Sequence, residues 1–509
     1  MSLPASPATL LEVLHAAPGE RLAVVEPGAG DGAITYDSLR QRVADLTGVL
    51  VASGIAPGDR VAIALPNGLP VLTATVAAAA AATAAPLNPA YRYEEFRFYL
   101  EDTRARLLLL PQDDGEDARR AAADCGVPVQ SVEALAATGS SRRGPAREPA
   151  PQDVAIVLHT SGSTGRPKRV PLRHANLAFS VANVVESYQL GQDDVSLCVM
   201  PLFHVHGLVA SALATFASGG TVVVPSAFNP FSFWRLVRTH GVTWYSAVPT
   251  IHQLLLARLG AERPPGAEGL RFIRSCSAAL PPEAMAQLES RLDVPMLEAY
   301  GMTEAAHQMA SNPLPPGTRK PGTVGPGTGV RIGILGPDGS ELPAGQPGEV
   351  VIAGPNVIDG YEDNPAANAA SFTAGWFRTG DQGVIDDDGY LRLTGRIKEL
   401  INRGGEKIAP REIDDALLSH PAVADAVAFG VPHPVWGEEV AAAVVLRRPV
   451  SESELVAWCR DRLAPFKCPG KLHIVDAIPK TATGKVQRLD VAARFAADAS
   501  ASGAGSGPA

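Results

Sequence analysis

Thr160-Ser161-Gly162-Ser163-Thr164-Gly165-Arg166-Pro167-Lys168 packs four hydroxyls, two glycines and a lysine into nine residues, directly after the apolar run Val154 to Leu158. An apolar run of that length reads as a buried strand. Glycines let the backbone fold back so that N–H groups converge on an anion. The hydroxyls donate to phosphate oxygens and Lys168 adds a positive charge. The pairing of strand and loop is therefore phosphate chemistry set on an α/β layer. It is not the common phosphate loop, which closes on Gly-Lys-Ser/Thr; here Pro167 precedes Lys168 and no Ser or Thr follows. A plain polar turn sits poorly with hydroxyls this dense.

Outward from that loop the chain alternates strand and helix. Ile34 to Leu50 begins strand-like, then places Leu39, Val43, Leu46 and Leu50 at helical spacing. Val61 to Leu65 and Leu107 to Leu110 read as buried strands, with an Ala-rich core helix over Leu69 to Leu87 between them. Residues 139–152, rich in Ser, Arg, Gly and Pro, read as a loop. Val195 to Pro201, Thr221 to Pro225 and Thr243 to Val248 continue the alternation, which predicts an α/β fold with mostly parallel sheets. From Val324 to Ile385 short strands with Gly/Pro turns, such as Gly336-Pro337-Asp338-Gly339, predict a β-rich subdomain. A new unit starts near Lys398, with helices near Pro410 to Ser419 and Ser453 to Leu463 and strands near Ala424 to Gly430 and Ala441 to Leu446. The expected division is 1–397, 398–495 and a disordered Ala/Ser/Gly/Pro tail over 496–509.

A chain of 509 residues is too long for one ordinary core, and 46% apolar content suits a globular enzyme. Net charge of −9 argues against nucleic acid or anionic membrane as a partner, because both need a basic field. Five scattered cysteines without ligand spacing read as reduced thiols. Met1 to Leu14 has no basic segment before an apolar run, the Ala-rich stretch is too weakly hydrophobic for a membrane span, and the ending Gly-Pro-Ala is no peroxisomal address. A cytoplasmic protein is expected, as monomer or homodimer.

Further segments carry chemistry. Tyr300-Gly301-Met302-Thr303-Glu304 presents an aromatic, a hydroxyl and a carboxylate together. A carboxylate beside a phosphate site makes sense with a cation between them, so Glu304 is a candidate ligand of phosphate-bound Mg²⁺; an ordinary strand-to-helix junction stays open. In Thr379-Gly380-Asp381 the carboxylate can accept from a ribose diol, although an Asp in a turn is often structural. Gly395-Arg396-Ile397-Lys398-Glu399-Leu400 and Asn402-Arg403-Gly404-Gly405-Glu406-Lys407 form a charged, Gly-rich stretch at the expected boundary. Pro479-Lys480-Thr481-Ala482-Thr483-Gly484-Lys485 raises a lysine near the chain end.

The order and spacing of these segments, with Pro201-Leu202-Phe203-His204 and Leu463-Ala464-Pro465-Phe466-Lys467, resemble the adenylate-forming superfamily of acyl-CoA synthetases, nonribosomal adenylation domains and beetle luciferases, from about Ile34 to Phe495. The resemblance implies a large N-terminal domain of α/β-layered subdomains plus a β-rich subdomain, and a small mobile C-terminal α+β domain. It implies ATP, Mg²⁺ and CoA as reaction partners of a small-molecule carboxylic acid, which becomes an acyl-AMP and then a thioester. Thr160, Ser161, Gly162, Ser163, Thr164, Gly165 and Lys168 would hold the β- and γ-phosphates. Ser277, Ala278, Ala279, Glu298, Ala299, Tyr300, Gly301 and Met302 would line the nucleotide, with Tyr300 stacked on adenine. Asp381 would hold the ribose, Arg396 would bind near ribose and phosphate, Thr303 would contact the α-phosphate and Glu304 the Mg²⁺. Lys485 would bridge the acid and the α-phosphate. Lys398 would be the hinge, and Arg403, Gly404 and Gly405 would meet CoA after the small domain rotates. Two positions depart from the family pattern: Arg169 stands where glycine is usual and is expected to point to solvent, and Asn402 replaces a lysine of some relatives.

The acid pocket is expected among His204, His206, Arg274-Ser275-Cys276-Ser277-Ala278 and Gly301 to Met309. Its donors (His204, His206, Ser275, Ser277, His307) would be costly against an alkyl chain and suit a small acid with a second carboxylate. PLFHVHGL (201–208), RSCSA (274–278), AAHQMASNP (305–313) and GRIKELINRGGEKIAP (395–410) look like the oxalate–CoA ligases of plants and fungi. On that resemblance His307 and Ser277 would bind the distal carboxylate and His204 would gate the pocket. Malonate is weighed against this: its synthetases place an arginine after a Val-Pro-Thr element, whereas Val248-Pro249-Thr250 is followed here by Ile251-His252-Gln253-Leu254. A short or medium-chain fatty acid, a stand-alone adenylation enzyme loading a carrier protein, and a nucleotide-binding protein without catalysis complete the alternatives. No carrier domain is attached, which makes free CoA the simpler acceptor.

Overall fold

The computed structural model describes residues 8–28, 32–137, 148–160, 167–481 and 486–502, with side chains to residue 495. Among the described residues the strands form four sheets. The six-stranded sheet runs Val129–Ser131, Leu107–Leu110, Arg60–Ile63, Thr83–Pro86, Val154–Thr160 and Lys168–Arg173. Its strands are parallel except for the last pair, an antiparallel hairpin whose final register pair is Thr160↔Lys168. Thr160 and Lys168, the two ends of the phosphate-loop sequence, form that last pair; residues 161–166 are outside the described residues. The eight-stranded sheet is parallel from Met296–Met302 through Phe272–Ser275, Trp244–Ala247, Val195–Leu197 and Thr221–Val223 to Leu22–Val25, with antiparallel strands at both edges. Strand runs such as Leu107 to Leu110 are buried at every position because helices cover both faces of such sheets.

The β-rich part follows the Gly/Pro punctuation, with antiparallel strands Arg331–Leu335, Gly348–Ala353, Trp376–Ile385 and Leu391–Arg396. One hydrophobic core runs from Leu10 to Leu391 and ties this sheet to the α/β layers. From Ile401 onward the chain closes cores of its own. One is built on Ile401, Ile408, Ile413, Val444 and Leu455, the other on Val427, Phe429, Val491 and Phe495. The fold is thus a large N-terminal α/β part with a β-rich sheet and a small C-terminal α+β part.

Three expectations need correction. The Ala-rich helix ends at Ala81, and Thr83–Pro86 is a buried strand. Thr83 pairs with Arg60 and Pro86 cannot continue a helix, so the sheet takes the small residues Ala84 and Ala85. No helix among the described residues is long and apolar enough to cross a membrane. The last helix, Arg488–Ser502, continues into the stretch expected to be disordered, consistent with the high helix propensity of its alanines.

The third correction is Arg169. It does not point to solvent but is 8% exposed. Its guanidinium pairs with Asp363 at 2.5 Å, Glu362 at 3.3 Å and Asp102 at 3.4 Å, and donates to the Asp102 carbonyl. Arg60 joins through Glu362 at 2.7 Å and His159 through Asp102 at 2.9 Å. Alternation along the strand misleads because residues 169 and 170 are both buried: the chain at Glu362-Asp363 and the end of the helix Tyr93–Thr103 cover the edge of the hairpin. Removing Arg169 would leave carboxylates facing one another. Arg169→Ala is expected to lower stability by about 2 kcal/mol, less than a fully buried pair because Asp363 is largely exposed. Urea unfolding of the two proteins measures this, and an unchanged midpoint would contradict it.

Candidate functional site

Glu304 occupies the 3₁₀ turn Thr303–Ala305, directly after the strand Met296–Met302, and both Thr303 and Glu304 are buried. Its Oε1 accepts from the Tyr361 hydroxyl at 2.9 Å and lies 3.4 Å from Thr160 Oγ1 at the hairpin tip. Lys168 Nζ sits 4.4 Å over the Tyr361 ring. Burial lowers the Lys168 ammonium pKa, Glu304 opposes that, and the Lys398 charge adds to it. One carboxylate, one hydroxyl and one ammonium thus converge beside the loop. Tyr361 lies 57 residues after Glu304, and no local pattern marked it as part of the site.

Tyr300, on the same strand, donates its hydroxyl to Asp381 Oδ2. Arg396 Nε contacts Asp381 Oδ1 at 2.7 Å, across the register pair Asp381↔Arg396. Burial first, then Asp381, pushes the Tyr300 phenol pKa well up, so it stays a donor. A carboxylate oxygen carries two lone pairs, so each Asp381 oxygen can still accept from a sugar hydroxyl.

The acid-side residues converge in one cluster, buried at His206, Arg274 and His307 and half-buried at Ser277. His206 Nδ1 lies 3.0 Å from Ser277 Oγ, and His206 Nε2 lies 2.6 Å from Ser246 Oγ. The His206 and His307 rings are 5.4 Å apart. Arg274, wholly buried, reaches both histidines as well as Ser246, Tyr188 and Gln308. A Cβ at Gly301 would overlap the His307 carbonyl, so only glycine lets His307 close against the Tyr300–Glu304 segment. Ser277 (φ +73°), Ala306 (+49°) and His307 (+121°) hold left-handed backbone, which costs about 1–3 kcal/mol each and persists where surroundings over-determine it. His204 is half-buried and caps the short helix Val205–Gly207 through Nδ1. Ser275 is buried, and its hydroxyl has no hydrogen-bond partner among the described residues.

The other expected residues are spread more widely. Arg403 pairs with both Glu439 carboxylate oxygens, at 2.7 and 3.0 Å, and its guanidinium lies over Trp436. Gly404 and Gly405 (φ +60° and +93°) make the turn between Ile401–Arg403 and Glu406–Ile408, with Gly404 against the Trp436 ring. Lys398 lies in the turn Ile397–Glu399. Ser161 to Gly165 and Lys485 lie outside the described residues. No group of three or more His, Cys, Asp or Glu side chains among the described residues could hold a metal ion.

Residues 12–362 match the AMP-binding enzyme family and residues 412–485 match the AMP-binding enzyme C-terminal domain. The chain is 47% identical to the oxalate–CoA ligase of Arabidopsis thaliana, over 87% of this chain and 90% of that one. It is 44% identical to the oxalate–CoA ligase of Saccharomyces cerevisiae, over 86% and 87%. Its fold overlays the ATP-bound crystal structure of MatB from Rhodopseudomonas palustris with TM-score 0.90 and 31% identity, over 96% of this chain and 99% of that one.

Glu298, expected beside the nucleotide, is a buried residue of the strand Met296–Met302, and its carboxylate accepts from Gly322 N–H at 3.1 Å. Burial raises its carboxyl pKa to about 7, against the pull of Arg411 from the helix Pro410–Leu418. A raised folded value means the native form keeps a proton that the unfolded chain releases. The resulting penalty is absent below the ordinary carboxyl range, grows as pH rises, and is complete above pH 7 at on the order of 3 kcal/mol. Glu298→Gln is therefore expected to exceed the parent in stability at pH 8, with the gap falling below about 1 kcal/mol at pH 5. Urea titrations at both pH values test this; a gap independent of pH would refute it.

Proposed function

The chain belongs to the AMP-binding enzyme family, as an AMP-forming acyl-CoA synthetase using ATP and CoA, and we propose that its acid is oxalate. The observation that carries this reading is the cluster of buried His206, Arg274 and His307 with half-buried Ser277, beside Gly301. A site built from this many polar side chains offers an alkyl chain nothing to bond and favours a small acid with a second carboxylate. The two oxalate–CoA ligases at 47% and 44% identity support the choice. Malonate is the second reading: Arg274 places an arginine in this cluster, from the strand Phe272–Ser275 and not from the helix where one was sought.

In the first half-reaction an oxygen of the acid attacks the α-phosphorus of ATP, and pyrophosphate leaves. Two anions must meet, and positive charge fixed in a dry site lowers that barrier. Lys485 is assigned to the acid and α-phosphate, Thr303 to the α-phosphate, and the loop from Thr160 to Lys168 to the pyrophosphate end. Tyr300, Asp381 and Arg396 are assigned to the nucleoside. A Mg²⁺ ion would neutralise phosphate charge. Glu304, a buried lone carboxylate beside Thr160 and Lys168, fits an ion held by one carboxylate and phosphate oxygens. In the second half-reaction the CoA sulfur attacks the acyl carbon and AMP leaves. The part beyond residue 398, which closes its own cores, is proposed to turn about Lys398 and bring Arg403, Gly404 and Gly405 to CoA.

In a CoA-dependent thioester assay with oxalate, malonate, acetate, octanoate and a cinnamate, oxalate is expected to exceed octanoate in kcat/KM by about 1,000-fold or more. Octanoate ahead of oxalate would sink the dicarboxylate pocket. Lys485→Ala is expected to abolish acid-dependent pyrophosphate exchange yet still convert supplied acyl-AMP to thioester. Equal loss of both half-reactions would remove the role given to Lys485.

A further inference from the structure

Arg274 is a fully buried cation whose hydrogen bonds among the described residues run to the hydroxyls of Tyr188 and Ser246 and the amide of Gln308, with the Cys276 thiol also beside it. Nε donates to the Tyr188 hydroxyl at 2.8 Å, Nη1 to the Ser246 hydroxyl at 2.9 Å, and Nη2 to the Gln308 amide oxygen at 3.1 Å. Nη1 also lies 3.5 Å from His206 Nε2, and Nη2 lies 3.5 Å from His307 Nδ1. The ion pairs among the described residues include none to Arg274. Buried charge is costly unless compensated, so a guanidinium in this position calls for an anion.

The same contacts fix two tautomers. A guanidinium has donors only, so the histidine nitrogens facing it must present lone pairs. The Ser246 hydroxyl accepts from Arg274 and lies 2.6 Å from the same His206 Nε2, so its own hydrogen goes to that nitrogen. The protons then sit on His206 Nδ1 and His307 Nε2. These nitrogens face Ser277 Oγ at 3.0 Å and Cys276 Sγ at 3.9 Å. Ser277 Oγ thereby accepts from His206, and its hydroxyl hydrogen is turned onward. The relay runs Arg274, Ser246, His206, Ser277 across the adjacent strands Trp244–Ala247 and Phe272–Ser275, where Ser246 and Arg274 are register partners.

We propose that Arg274 is the positioning residue for the distal carboxylate of the acid: it holds His206 and His307 as neutral donors and supplies the positive charge that the second carboxylate balances. Arg274 acts from behind the histidines. The inference rests on the reading of the substrate as a small dicarboxylate.

The test compares the parent with Arg274→Gln, Arg274→Lys and Ser246→Ala. Acid-dependent pyrophosphate exchange is measured with oxalate and with glyoxylate, which replaces one carboxylate by an aldehyde. Arg274→Gln is expected to raise the oxalate KM about 10- to 100-fold and erase the preference over glyoxylate, with the ATP KM unchanged. Arg274→Lys should recover part of the oxalate preference, and Ser246→Ala should lose less than Arg274→Gln. A parent that turns over oxalate beside an Arg274→Gln enzyme with the same oxalate KM would overturn the role of Arg274. A parent active on another acid but not on oxalate would overturn the oxalate reading instead. Nitrogen-15 histidine spectra of the parent, assigned by His206→Gln and His307→Gln, give a readout that needs no Arg274 variant and no substrate. Unprotonated Nε2 on His206 and unprotonated Nδ1 on His307 support the relay, and the opposite tautomer on either refutes it.

Discussion

The turn joining Met296–Met302 to His307–Ser311 carries Thr303 and Glu304 and brings His307 back against Gly301. It closes because residue 301 has no side chain: any Cβ would overlap the His307 carbonyl. From this one approach the site acquires its two ends. Tyr300 faces Asp381 and Arg396 on one side, and His307 joins Arg274 and His206 on the other. The left-handed backbone at Ala306 and His307 is held by the same closure.

Charge is placed against the overall sign of the chain. With a formal net charge of −9, the molecule does not draw anions by its general field. Attraction has to come from single cations: half-buried Lys168 over Tyr361, exposed Arg396 on Asp381, and buried Arg274 among neutral groups. The three differ in their counter-charges. Arg396 is paired within the protein, Lys168 has the Glu304 carboxylate near it, and Arg274 has no carboxylate partner among the described residues. Arg169, by contrast, is ringed by three carboxylates and works as a brace for the hairpin of Val154–Thr160 and Lys168–Arg173.

Much of this was legible in the chain. The strand before the loop, the alternation of the α/β layers, the Gly/Pro-punctuated strands from 331 to 396 and the clustering of Tyr300 with Glu304 are local patterns, and local periodicity survives folding. The errors share one cause. Arg169 beside Val170 looked like a solvent-facing alternation, but what covers a strand edge is contributed by Glu362 and Asp363, almost two hundred residues away. The Ala-rich run looked like one helix because alanine suits both helix and a tight sheet slot; pairing of Thr83 with Arg60 decided it. Arg274 was in view as part of RSCSA, and a charge inside an otherwise apolar strand was the available signal.

By itself the sequence determined the kind of chemistry, because hydroxyls, glycines and a lysine on one loop can serve few ligands but phosphate, and it determined the order of the layers, because side-chain period is a property of neighbours. Only the tertiary structure decided which groups face which. Tyr361 reaches Glu304 across 57 positions and Arg274 reaches Tyr188 across 86. The tautomers proposed for His206 and His307 follow from the way Arg274 and Ser246 face them. A hydrogen bond depends on distance and direction in space, and neither is written in the spacing along the chain.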